Sequence, residues 1–219
     1  MPPTWRLPTS TRSGRRLQLL DWAQSSRSWI VEDDYDSEFR FDRHPRPSLQ
    51  CLDRTSRVIY IGTFSKVLFP SLRIGYVVIP TALVDSFVSI RHSMDVSPPH
   101  LTQAVLADFI NEGHFSRHLR RMRIAHGERR RTLVDCLREE IGVILEVHVA
   151  EAGLHVAVTQ PRGYRDRSIA ARAAQQNLLL WPLSPTYLGP ASRQGFILGL
   201  VGITIAEILP AVRRLREVL

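Results

Sequence analysis

Lysine is all but absent from this chain: of its 29 lysine and arginine residues, Lys66 alone is a lysine. Cysteine is scarce too, and Cys51 and Cys136 stand far apart without a Cys-x-x-Cys pair, which leaves no redox motif and no zinc site. No apolar run is long enough to span a membrane; the nearest, Phe196–Ile205, stops well short. No signal-peptide pattern is present, so a cytoplasmic protein is expected. Nothing in the chain has the composition of disorder. With 44% hydrophobic residues, 219 residues suffice for one large or two small domains with a real core.

What the chain has in excess is arginine. A net charge of +8 and a pI near 10.4 invite a nucleic-acid reading, because clustered cations neutralise phosphates. Eight arginines lie between Arg117 and Arg138, but acidic residues are interspersed among them. That pattern suits a solvated helix face or a dimer interface as well as DNA, and no recognition helix with its turn is visible.

The lone lysine sits in the most informative stretch, Val58 to Val78. Two β-type apolar runs, Val58–Ile61 and Ile74–Ile79, flank a short segment whose only cations are Lys66 and Arg73, with hydroxyls from Thr63, Ser65 and Ser71. Desolvation lowers the pKa of a lysine held near a core, and this is what makes an amine nucleophilic enough to condense with a carbonyl. Hydroxyls and a guanidinium beside it suit a phosphate. Taken alone, such a lysine is more often a strand-end residue reaching into solvent. Upstream, however, the strand candidate Trp29–Val31 ends directly in the carboxylate cluster Glu32, Asp33, Asp34 and Asp36. Carboxylates at a strand's end point into the crevice where open α/β sheets bind ligands, so Asp33 can meet a protonated heterocyclic nitrogen and Tyr35 a phenolate oxygen. The bland alternative is a cluster that caps a helix or pairs with arginines.

Glu32-Asp-Asp-Tyr-Asp-Ser-Glu-Phe-Arg40, Gly62-Thr-Phe-Ser-Lys66 and Leu72-Arg-Ile-Gly75 together resemble the aminotransferase-like domain of MocR-type GntR regulators. The resemblance runs from about Leu17 onward and includes Phe109–Arg123 and Ala152–His155. It implies the fold-type I (aspartate aminotransferase-like) fold of pyridoxal-phosphate (PLP) enzymes, here in part: α/β, with some of the large-domain sheet and an α+β small domain. By position it implies Lys66 as the Schiff-base and catalytic lysine, Asp33 for the pyridine nitrogen, Tyr35 for the phenolic oxygen, and Thr63 and Arg73 for the phosphate. Members of this family are about twice as long. They carry a winged-helix DNA-binding domain and the first half of the PLP domain, with a glycine turn and a ring-stacking aromatic, none of which is recognisable here. Pro8-Thr9-Ser10 stands where the family has Pro-x-Gly, which suggests a chain beginning where a longer product was cut or decayed.

Four segments are expected. Residues 1–16 are a basic Pro/Ser/Thr-rich arm, Arg- and Ser-rich like a transit peptide but without its apolar face. Residues 17–112 form the C-terminal half of the PLP-binding large domain. They comprise a helix at Arg16–Gln24, the strands named above with parallel pairing across the first loop, a turn at His44–Pro47, and helices from Thr81, capped by that threonine, and from His100 to Glu112. Residues 113–141 are a long connecting helix. Residues 142–219 form the small domain, with a hairpin of Val143–Val149 and Leu154–Thr159, a helix at Asp166–Asn177, a strand at Phe196–Leu200 and a closing helix from Ile205. The resemblance also implies a homodimer, PLP and an amino-acid effector as ligands, and DNA contact only through the winged-helix domain. Transaminases of this fold hold the substrate carboxylate with an arginine where this chain has Ile197, so catalysis is not expected of it. A PLP-dependent aminotransferase acting on amino acids and a decayed remnant keeping only a dimer surface are the competing readings.

Overall fold

The computed structural model describes residues 13–41, 47–95, 99–149, 152–160 and 163–219. These fall into two compact units, one ending at Arg121 and the other running Met122–Leu219. The basic arm lies outside the described residues, apart from its last few residues, and so does most of the turn at His44–Pro47.

The first unit opens with helix α1, Ser13–Ser25, which starts earlier than expected. Its first turn is tied down by Arg16, whose guanidinium lies 3.6 Å from the Glu32 carboxylate. Leu20 and Ala23, one turn apart, form its buried face. Strand β1, Ile30–Asp34, does not stop at Val31 but runs on through the carboxylates. Those on one face have found donors. Glu32 accepts the backbone N–H groups of Leu49 (2.8 Å) and Gln50 (3.0 Å) at the start of the short helix α2, Leu49–Leu52, and Asp34 accepts the Tyr60 hydroxyl at 2.9 Å. Strand β2, Val58–Thr63, pairs parallel to β1 as expected, and β3, Gly75–Val78, pairs antiparallel to β2. Asp53 sets the entry to β2 by accepting N–H bonds from Thr55, Arg57 and Val58. Burial works against its charge, but these bonds outweigh it and hold the carboxyl below the usual range.

Thr81 does not cap a helix; it opens a 3-10 turn, Thr81–Leu83, behind Pro80, and helix α3 follows over Val84–Asp95. Helix α4, His100–Asn111, ends before Gly113, whose φ of +75° is the left-handed stop that glycine accommodates. Helix α5, His114–Ile141, then runs unbroken from the first unit into the second.

The second unit is an antiparallel sheet of order β4-β5-β7-β6, built from Glu146–His148, His155–Gln160, Gln194–Gly199 and Trp181–Pro182 respectively. With it pack α6, Asp166–Gln175, and α7, Ile205–Val218. Leu137 and Ile141 of α5, Val156 and Val158 of β5, Phe196 of β7 and Val212 of α7 share one core. The fully buried carboxylate of Asp166 accepts from Ser184 N (2.7 Å), Ser184 Oγ (2.6 Å) and Gly195 N (3.2 Å), fastening the start of α6 to β7. Thr204 and Glu207 close a reciprocal capping box at the start of α7. Among the described residues, no helix is long and apolar enough to cross a membrane.

Candidate functional site

The sheet register decides which side chains meet. Ile30 pairs with Val58 and Asp33 with Ile61, while Ile61 pairs with Val77 and Thr63 with Gly75. Because side chains alternate along a strand, Glu32, Asp34, Tyr60, Gly62 and Tyr76 share one face, and Val31, Asp33, Ile61, Thr63 and Val77 share the other. The first face carries an aromatic cluster. Tyr76 covers Gly62 so closely that a Cβ there would run into its ring. Tyr60 and Phe64 flank Tyr76 at centroid distances of 6.0 and 5.5 Å, and Phe115 of α5 meets Phe64 edge-on at 5.8 Å. Across the second face Val31, Ile61 and Val77 are exposed.

All five expected site residues lie at one edge of this sheet. β1 and β2 are parallel, so Asp33 and the following Tyr35 end up beside Thr63 and the turn that carries Lys66. β3 is antiparallel, so it begins at that same edge, with Arg73 two residues before Gly75. Asp33 and Thr63 share the open face by register. Lys66 and Arg73 are exposed, and Tyr35 and Thr63 half-buried. Thr63 Oγ1 accepts the backbone N–H of Ser65 at 3.2 Å, which shapes the turn leading to Lys66. Arg73 sits in the left-handed region (φ 52°, ψ 32°), a conformation that costs a non-glycine residue on the order of 1 kcal/mol. The Phe64 N–H to Ile74 carbonyl bond of 3.1 Å and the Thr63–Gly75 pairing hold it there.

The electrostatics add a residue that the sequence did not single out. Asp36 is pushed up to about 6 by burial and by the neighbouring Asp34, against the pull of Lys66 in the other direction. Lys66 therefore acts on Asp36 electrostatically. The signal was present in the carboxylate run, but the resemblance drew the reading to Asp33. Tyr35 is pushed up to about 12 by burial and then by Asp36 and Asp33, so its phenol stays a hydrogen-bond donor at neutral pH. Tyr60 is raised as well, first by burial and then by its bond to Asp34. An amine, a guanidinium, hydroxyls, a protonated phenol and carboxylates at one open sheet edge can bind a phosphorylated carbonyl compound and offer it a nucleophile. Among the described residues, no group of three or more His, Cys, Asp or Glu side chains is placed to hold a metal ion.

Comparison with known proteins agrees with this architecture. The family model described as aminotransferase class I and II matches residues 16–189. The chain is 41% identical over 213 residues to the probable rhizopine catabolism regulatory protein MocR of Rhizobium meliloti, covering 97% of this chain and 43% of that protein. It is 28% identical over 222 residues to the 2-aminoadipate transaminase of Thermus thermophilus, covering 99% of this chain and 56% of that enzyme. It superposes on the crystal structure of Pyrococcus horikoshii kynurenine aminotransferase, solved with PMP, with a TM-score of 0.87 at 26% identity, over 96% of this chain and 52% of that one. The chain thus spans about half the length of the curated relatives it matches. Its fold is the fold-type I, aspartate-aminotransferase-like one, and the chain belongs to the aminotransferase class I and II family.

Proposed function

We propose that this chain is the PLP-binding, aminotransferase-like effector domain of a MocR/GntR-type transcriptional regulator. Lys66 is the covalent anchor for the cofactor's carbonyl carbon. Asp33 faces the pyridine nitrogen, Tyr35 donates to the phenolic oxygen, and Thr63 and Arg73 hold the phosphate. The observation that carries this reading is the arrival of these five residues at one sheet edge through the parallel register of β1 and β2. The donor set fits the cofactor chemically: one amine for the carbonyl, a guanidinium fork and hydroxyls for a dianion, and a carboxylate for a protonated ring nitrogen. The cofactor, when bound, supplies a reactive carbonyl and an electron-accepting ring. The chain's own part is to bind and orient it. An amino-acid effector, a homodimer and DNA contact through a separate winged-helix domain belong to the same reading, supported by the similarity to MocR.

The test is a spectrum. Mixed with PLP, the protein should develop a visible absorption band, and borohydride should then fix the cofactor mass on Lys66. Lys66→Ala should show neither. A wild-type spectrum identical to that of the variant would remove the assignment. A second reading, an amino-acid aminotransferase, is favoured by the similarity to 2-aminoadipate transaminase along nearly the whole chain. Against it stands Ile197, buried in β7 where the enzymes' resemblance places a carboxylate-binding arginine.

A further inference from the structure

The first turns of α5 hold a concentration of cationic side chains that the cofactor reading does not use. A cleft of about 400 Å³ is lined by Phe109, His114, Arg117, His118 and Arg121. Positions 114, 117, 118 and 121 recur at three- and four-residue steps, so two guanidiniums and two imidazoles line one helix face. The hydrogen bonds fix how each is used. Arginine can only donate, so Arg117 donates to His114 Nδ1 at 2.7 Å, and His114 Nε2–H in turn donates to Glu112 at 3.1 Å. The His114 ring is stacked on Phe109 at 5.5 Å, which holds it still. His118 Nε2–H donates to the Val67 carbonyl at 2.9 Å, leaving its other nitrogen uncommitted. Among the described residues, Arg121 makes no hydrogen bond or ion pair, and it lies one turn from Arg117.

Two like charges at i and i+4 repel, and no carboxylate lines the cleft to offset them. A bound anion would offset both at once, with forked charge-assisted hydrogen bonds from each guanidinium. The unpaired N–H groups at the start of a 28-residue helix add to the same field. Phe109 gives the cleft one apolar wall.

We propose that this cleft binds a small dianionic oxyanion, a phosphate monoester or a dicarboxylate, through Arg117 and Arg121. The site stands apart from the PLP assignment but adjoins it: the His118–Val67 bond and the Phe64–Phe115 contact hold the residues on either side of Lys66. A ligand that shifts the first turn of α5 is thereby felt at the Lys66 turn.

The experiment follows the imidazole resonances of His114 and His118 in the full chain, with isotope-labelled histidine at fixed pH. The titrants are inorganic phosphate and, separately, succinate. A saturable shift with phosphate alone, with succinate alone or with both supports the proposal and identifies the preferred chemistry. Arg117→Gln and Arg121→Gln, both at exposed positions, should each weaken binding by about tenfold or more. Arg73→Gln, which removes the proposed cofactor-phosphate contact, should leave the shift unchanged. The proposal is overturned if neither titrant saturates at millimolar concentration, or if binding survives both glutamine variants. A shift lost in Arg73→Gln but kept in Arg121→Gln overturns it too, because the anion would then occupy the Lys66 edge.

Discussion

Asp36 makes the sheet edge sensitive to pH. Its carboxyl rises from 3.8 to about 6 because burial and Asp34 disfavour its charge, with Lys66 only partly compensating. A carboxyl whose folded pKa exceeds its unfolded one binds more protons in the native state between the two values. Stability is therefore fully present below about pH 4 and falls as pH rises through about 6. The displacement corresponds to about 3 kcal/mol as an upper figure, since one pH unit is worth about 1.4 kcal/mol. Asp36→Asn keeps the shape and removes the charge. It should match the wild type near pH 4 and exceed it by up to about 3 kcal/mol at pH 7.5, moving the urea midpoint by at most roughly 1–3 M. Urea unfolding of both proteins across this range isolates Asp36 and the groups coupled to it, because every uncoupled titrating group cancels in the difference. Lys66→Ala removes the one group that lowers the Asp36 pKa, so its stability deficit should widen above pH 6. A wild-type-minus-Asp36→Asn difference that stays flat with pH would refute the reasoning.

Other perturbations test the packing and the chemistry. Gly62→Ala drives a Cβ into the Tyr76 ring and should cost about 1–3 kcal/mol in thermal or urea unfolding, with Tyr76→Ala in the same chain recovering much of the clash component. Asp166→Ala leaves Ser184 N and Gly195 N without their buried acceptor and should destabilise the second unit by about 3 kcal/mol, seen as early loss of amide protection in β7. With PLP, common amino acids and a 2-oxo acid, no measurable transamination is expected, given Ile197 where the resemblance implies a carboxylate-binding arginine. A steady PLP-dependent rate abolished by Lys66→Ala would move the enzyme reading to first place.

Helices α4 and α5 and the hairpin of β4 and β5 were legible because their apolar periods are local and their stops are chemical, as at Gly113. The end of β1 was not legible. Three consecutive carboxylates read as a strand terminator, yet Glu32 is satisfied by N–H groups seventeen and eighteen residues away, and Asp34, beyond its local bonds from Ser37, takes a hydroxyl from twenty-six away. No window along the chain contains those partners. The same holds for Asp36, whose coupling to Lys66 depends on a parallel pairing that only the fold supplies.

That dependence gives the buried carboxylates a part in the site although they point away from it. A one-residue slip of β1 against β2 would turn Asp33 onto the aromatic face beside Tyr60 and Tyr76 and bring Asp34 to the other. Hydrophobic alternation does little to prevent the slip, since Val31 and Ile61 on the open face are as apolar as Ile30 and Val58 on the other. What fixes the register is polar. Asp34 must reach the Tyr60 hydroxyl, and Glu32 must reach the start of α2 while pairing with Arg16. Unmaking the Glu32 contacts leaves a half-buried charge without its donors, and losing the Tyr60 hydroxyl leaves Asp34 with Ser37 alone; both costs oppose the slip. On the proposed assignment, Glu32, Asp34 and Tyr60 are therefore positioning residues for Asp33 and the Lys66 turn. The Glu-Asp-Asp order follows from this division: the outer two carboxylates lock the strand, and the middle one makes no hydrogen bond among the described residues.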